Sequence, residues 1–159
     1  LSMALAILLV GCGEGGTYKK AQEAFDNREY TQVIELLDSI PDYDDVDDLR
    51  AQSETGILKL AVEGATSPEC CAIAEDGSYL RIDTNPANID NFFDENYLLT
   101  VQELNKSLGF NASSYQKMVQ TRALDGRQED ENDKYTVSWT YHPDNGLEIM
   151  YEIKQHSPK

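Results

Sequence analysis

The spacing of apolar positions changes along this chain, and each change marks an element. Leu1 to Val10 is an apolar run without a charge. It is too short to span a membrane, which takes about 20 such residues. From Thr17 the spacing turns helical: Tyr18, Ala21, Ala24 and Phe25 recur at three and four residues, with Thr17 placed as N-cap. Asn27 interrupts, and a second helix is predicted from Thr31 through Val33, Ile34 and Leu37 to Ile40, where Pro41 stops it. A third follows Asp44-Asp45, with Val46, Leu49, Ile57 and Leu60 as its apolar positions and the Gly64–Pro68 cluster at or beyond its end.

After that cluster the period shortens. Ser78 to Asp83 alternates and predicts a strand following the Glu75-Asp76-Gly77 turn. Thr84 to Asn88 reads as a loop and Ile89 to Phe93 as a short helical turn. Glu95 to Leu108 predicts a helix with Leu98, Val101, Leu104 and Leu108 as its stripe. Thr100 with Glu103 offers an alternative internal start for it. Gly109 is placed to end it, with Phe110 folding back. Ser113 and Gln116 fit a capping box for the next helix, whose apolar face is Tyr115, Met118 and Val119. Arg122 to Asp133 reads as a polar loop. Tyr135 to His142 and Gly146 to Lys154 then alternate, joined by Pro143-Asp-Asn-Gly146. They predict a β-hairpin whose Asn-Gly supplies positive φ angles. The expected fold class is α+β: an N-terminal helical hairpin plus third helix (residues 17–66), then a small domain (67–159) of about three antiparallel strands with two to three helices.

The 159 residues hold 13 Lys+Arg against 29 Asp+Glu, a formal charge of −16. No basic face is available for phosphates, which excludes a nucleic-acid role and disfavours contact of the body with anionic lipid. Three cysteines are too few for a disulfide scaffold. The aspartates at 42, 44, 45, 47 and 48 do not follow calcium-loop spacing, since the third or fifth ligand position falls on Val46 and no Gly occupies the sixth. They read as carboxylates at a helix start.

The apolar run ends in Leu9-Val10-Gly11-Cys12, and here the chain resembles bacterial lipoproteins. The resemblance implies that residues 1–11 are a signal peptide, expected to follow a basic n-region upstream of Leu1. It further implies that Cys12 becomes the lipid-modified first mature residue, with residues 12–16 as lipidated Cys and flexible tether. The implied location is the outward-facing side of a bacterial cell membrane. Several acyl chains, at about 0.8 kcal/mol per buried CH₂, anchor durably where a single chain does not.

Ala21, Ala24, Phe25, the turn ending at Tyr30, and then Val33, Ile34, Leu37 and Ile40-Pro41 resemble a tetratricopeptide-type unit. Val33 stands where that pattern prefers Ala, and Pro41 comes early. Such arrays need about three units to bury a continuous core, more than residues 17–66 hold, so a short helical hairpin docked on the rest of the chain is the stronger reading.

Chemistry has few candidates. Cys70-Cys71 is open to two readings: a vicinal disulfide with redox or ligand-gating use, or two small buried hydrophobes near a strand start. Adjacent Cα atoms lie about 3.8 Å apart, under the usual disulfide range of about 4.4–6.8 Å, so such a bond would be strained. Arg122 and Arg127 concentrate positive charge in a loop of an acidic protein, where either could hold a carboxylate or phosphate; neutralisation of Asp125 and Glu129 is the simpler role. Trp139, Tyr141 and Tyr151 share the apolar phase of the hairpin and read as core rather than as a ligand platform. His142 and His156 have no metal-ligand spacing, and neither catalytic residues nor a metal or cofactor are expected. The expectation is therefore a lipid-anchored, non-catalytic binding or interaction module with an envelope or cell-surface protein as partner. Two alternatives stand beside it. One is a small anchored enzyme or redox protein using Cys70-Cys71 or the Arg122–Arg127 loop, and the other a structural spacer or envelope-assembly subunit.

Overall fold

The computed structural model describes residues 13–43, 45–90 and 92–154. The fold is α+β, with five α-helices and a five-stranded antiparallel sheet. Among the described residues the chain divides into two compact units, with the boundary between Gly56 and Ile57.

The first unit holds α1 (Glu14–Asp26), α2 (Tyr30–Asp38) and the start of α3 (Val46–Glu63). Ala21 and Ala24 of α1 are small enough for α2 to approach, and they pack with Val33, Leu36, Leu37, Ile40, Val46 and Leu49. The ring of Tyr30 crosses so close to α3 that a Cβ on Gly56 would lie 2.6 Å from it. The buried guanidinium of Arg50 pairs with Asp38 at 2.8 Å. Asp47 and Asp48 occupy the first turn of α3, where the helix dipole favours negative charge. One boundary differs from the expectation. Thr17 is not an N-cap but a buried residue inside α1; the cap is Gly13, and Glu14 to Gly16, assigned to the tether by sequence, form the first turn. The Gly16 and Thr17 amides both donate to the Gly13 carbonyl, so the glycines do not prevent the turn from closing.

The second unit is a sheet of order β1-β2-β5-β4-β3, built from β1 (Cys71–Ile73), β2 (Tyr79–Asp83), β3 (Gln128–Glu131), β4 (Tyr135–His142) and β5 (Gly146–Ile153). Its inner face carries Leu80, Ile82, Tyr135, Val137, Trp139, Leu147, Ile149 and Tyr151. Against it pack Val101, Leu104 and Leu108 from α4 (Glu95–Ser107) and its end, with Met118 from α5 (Ala112–Gln120). Sequence predicts about three strands here, and the two additional ones are the edges. β3 falls within the stretch read as a polar loop. Its Gln-Glu-Asp-Glu sequence has no apolar phase because an edge strand with a charged flank does not need one.

One helix cap departs from expectation, and the Glu95 start of α4 is as expected. Asn111, not Ser113, caps α5, its Oδ1 accepting from the Ser113 and Ser114 amides at 2.9 and 3.2 Å. Asp94 caps α4 by accepting from the Asn96 amide at 2.8 Å, while Thr100 and Glu103 serve a different purpose described below. The predicted end of α4 is present: Gly109 sits at φ +82° and the Phe110 amide returns to the Asn105 carbonyl at 2.9 Å.

The β4–β5 hairpin forms as predicted, but with a different turn. Residues 143–145 make a three-residue loop, and only Gly146 adopts a positive φ, +76°. Pro143 favours this turn because its fixed φ suits the first central position. Thr84 closes over the same glycine, its Oγ1 accepting from the Leu147 amide at 2.8 Å and leaving no room for a Cβ at 146. Gly146→Ala is therefore expected to lower stability by about 1–3 kcal/mol. The effect would appear as an earlier urea midpoint at unchanged slope, and an unmoved midpoint would refute the turn's role.

Asp130 ties the edge strand β3 to α5. Burial pushes its carboxyl up, but donation from Ser114 Oγ at 2.8 Å and Lys117 Nζ at 3.0 Å outweighs burial and holds it below its usual value. A carboxyl depressed in the folded state contributes stability fully above the unfolded value of about 4 and loses it as pH falls through the folded value. Asp130→Asn should thus flatten the acid limb of stability below about pH 4, measured by urea titration across pH. Parallel acid limbs in the two proteins would contradict the assignment.

Candidate functional site

The inner face of the sheet is consumed by packing, so recognition chemistry belongs to the outer face. There β3, β4 and β5 bring together residues from opposite phases of the same strands. Ser138 pairs across to Glu129 on one side and Met150 on the other, and Thr136 to Glu131 and Glu152. They line a groove of about 550 Å³ with Arg127 at one end. Arg127 Nη1 donates to Ser138 Oγ at 3.0 Å, and Ser138 itself is only 9% exposed. That bond fixes an exposed, flexible side chain over the sheet, which reduces the entropy lost when it meets a ligand.

The groove's charge is mostly negative. Glu131 is answered by Lys154 Nζ at 2.9 Å. Glu129 and Glu152 have no ion-pair partner among the described residues. Thr136 and Ser138 of β4 separate them, and half-buried Met150 lies next to Glu152 on β5, a soft apolar patch able to follow the shape of an aliphatic stem. The arrangement suits a ligand that carries cationic groups on aliphatic stems.

The predicted loop of two arginines is not one anion cradle. Arg122 is committed to its own turn. Its amide donates to Asp125 Oδ2 at 2.7 Å and its guanidinium to Oδ1 at 2.8 Å, closing a reciprocal cap around residues 123–125. The guanidinium hydrogen bond holds the Asp125 carboxyl below its usual range and raises Arg122 in turn. Arg127 points to the sheet instead. Thus Arg122 and Asp125 are brought together, as neutralisation predicts, and Arg127 joins the groove.

Cys70 and Cys71 are both free thiols, with Sγ atoms 3.9 Å apart. Cys70 ends a 3-10 turn (Pro68–Cys70), is buried, and its Sγ lies 3.1 Å from the Ser67 carbonyl. Cys71 opens β1 and is half-buried, extended and paired with Ile82. The turn before them is clamped to α4: Thr66 donates to Glu103 through both its amide and its hydroxyl, at 2.8 and 2.9 Å, and the Ser67 amide donates to Thr100 Oγ1 at 2.9 Å. Hydrogen bonding to Cys71, reinforced by burial, pushes the Cys70 thiol far up. The same bond lowers Cys71, against burial and the Glu69 carboxylate.

Trp139 and Tyr151 are core residues, their polar ends satisfied by Thr121 Oγ1 at 2.8 Å and Asn105 Oδ1 at 3.3 Å, whereas Tyr141 at the hairpin end is 37% exposed. His142 accepts the Asp144 amide within the turn. Cys12 and His156 lie outside the described residues. Among the described residues no three His, Cys, Asp or Glu are grouped to hold a metal ion, and no helix is long and apolar enough to cross a membrane. Sequence reasoning missed Ser138, Met150 and Glu152, and read Glu129 only as a partner for the loop arginines, an ion pair that does not form among the described residues. The signal was available in the polar phase of the hairpin, Thr136-x-Ser138 and Glu148-x-Met150-x-Glu152, but only the β3 register shows that these residues face Glu129. The chain matches no family model, no curated protein and no solved structure.

Proposed function

We propose that the protein is a lipid-anchored extracytoplasmic interaction module. In this reading Cys12 carries the lipid, and the outer face of the sheet binds a cationic segment of an envelope or cell-surface protein. The observation that carries the binding half is the groove itself: unpaired Glu129 on β3 faces Met150 and unpaired Glu152 on β5 across Ser138 and Thr136, with Arg127 pinned by Ser138. Carboxylates of one sign around an apolar floor favour Lys or Arg side chains, whose stems can lie on Met150 while their heads meet the acids. The capped turn at residues 123–125 and the buried Trp139, bonded to Thr121, steady the chain leading into β3, so binding requires little ordering of the protein. The anchoring half is supported by the Leu9-Val10-Gly11-Cys12 sequence. In this reading the groove binds its partner and carries out no reaction on it.

Each half has its own test. Cys12→Ala should move the protein from the membrane to the soluble fraction and abolish fatty-acid labelling, and label retained by the variant would defeat the anchor. For the groove, a photo-crosslinking residue at Thr136 should trap one dominant protein in intact cells. The double reversal Glu129→Lys with Glu152→Lys should cut that yield about tenfold, the equivalent of about 1.4 kcal/mol, while Glu75→Lys on the β1–β2 turn leaves it unchanged. Equal loss from all reversals would reduce the effect to net charge and remove the groove from the account.

A further inference from the structure

We propose that Cys71 and Cys70 form a thiol–disulfide exchange site, in which Cys71 attacks a low-molecular-weight disulfide and Cys70 resolves the adduct. The inference does not depend on the groove or on the lipid anchor.

Geometry supplies the division of labour. Cys71 is the half-buried member, on β1 at the sheet's edge among the described residues, its side chain on the Ile82 side and packed against the core without being covered by it. Cys70 is buried, and the Ser67 carbonyl at 3.1 Å and Cys71 Sγ at 3.9 Å are the acceptors within reach of its proton. A thiol that gives its proton to a neighbouring sulfur stabilises that sulfur as thiolate, and thiolate is the nucleophile. The lowering of Cys71 and the raising of Cys70 run in the direction this arrangement requires.

The reaction balances without a further reagent. Cys71 Sγ attacks one sulfur of R–S–S–R, forming Cys71–S–S–R and releasing RS⁻, which takes up a proton. Cys70 then loses its proton and attacks Cys71 Sγ, forming the Cys70–Cys71 bond and releasing the second RS⁻. The two thiols surrender two electrons and two protons, and the disulfide becomes two RSH. The closed product is strained, because neighbouring Cα atoms lie nearer than a disulfide ordinarily spans. Strained disulfides are oxidising and easily reduced. The β1–β2 ladder holds Cys71, and the Thr66–Glu103 and Ser67–Thr100 bonds hold the turn before Cys70. Neither side yields freely, so the strain is not relieved by local rearrangement. Such a pair suits rapid cycling and not a permanent staple.

The test uses the full chain with Cys12→Ala, so that Cys70 and Cys71 are its only thiols, and glutathione disulfide, in large excess and free of glutathione so that it can oxidise a strained pair, as the probe. The reduced protein should release two glutathiones per chain, lose two hydrogens in intact mass and hold no lasting adduct. Cys70→Ser should release one glutathione and keep the other on Cys71. Cys71→Ser should react at least about tenfold more slowly than Cys70→Ser. Circular dichroism confirms that each variant is folded. Should a variant unfold, iodoacetamide on the parent chain replaces it, with the first alkylation expected on Cys71 by fragment mass. A stable glutathione adduct on the parent chain, equal rates for the two variants, or first alkylation on Cys70 would each overturn the proposal.

Discussion

The unbroken pairing of β4 with β5, from Tyr135↔Ile153 to His142↔Gly146, sets the phase of everything else in the second unit. Side chains alternate strictly along a strand, so a slip of one residue would exchange the two faces of the sheet. The three-residue turn at 143–145, with Gly146 left-handed and Thr84 bonded to Leu147, prevents that slip. Once Leu147, Ile149 and Tyr151 face inward, Glu148, Met150 and Glu152 face outward. Pairing of β2 to β5 then turns Leu80 and Ile82 inward, and pairing of β1 to β2 carries Cys71 to the same side as Ile82. The groove and the dithiol lie on opposite faces, yet a single register decides both.

Polar bonds complete what burial begins. The core of the second unit takes its shape from apolar packing, but its connections are fixed by groups that cannot be left unpaired. Asn105, 2% exposed, joins α4 to the Asn111 carbonyl and to the Tyr151 hydroxyl. Asn85, fully buried, bonds the Ile89 backbone and the Asp144 carbonyl and so joins the 84–94 loop to the hairpin turn. Thr100 and Glu103 do the same for the turn before Cys70. A capping pair and a clamp share one sequence signature, and only the fold distinguishes them. Thr100 is fully buried in mid-helix, where no orphan amide needs it, so its hydroxyl is available to Ser67.

What sequence made legible follows from which signals are local. The helix stripes of α2 and α4, the Gly109 stop and the hairpin are encoded by residues within a few positions of one another. The edge strand β3 is not. Gln128 to Glu131 is polar on both faces, and its membership in the sheet comes from pairing with Thr136 to Trp139 after a loop and from Asp130 bonding α5. The candidate site was legible in the same partial way. Arg127 and the cysteines are conspicuous by residue type, whereas Ser138 and Met150 are ordinary strand residues whose importance comes only from their neighbours. Arg122 misleads for the converse reason. Two arginines in one loop read as a pair, but Asp125 is three residues from Arg122 and takes it first.

The acidity of β3 has a consequence for how the outer face can be used. An edge strand exposes backbone donors and acceptors and invites another strand to join. Here the Glu131 amide donates to the neighbouring Asp130 Oδ1 at 3.0 Å, and Glu129 and Glu131 flank the strand with negative charge. Both features disfavour strand addition: one occupies a donor, and the other repels a second copy of an acidic chain. Side chains, not backbone, are therefore what this region offers a partner. With the edge closed and the inner face filled, the route to recognition lies across Glu129, Met150 and Glu152, where charge is unpaired and the floor is soft.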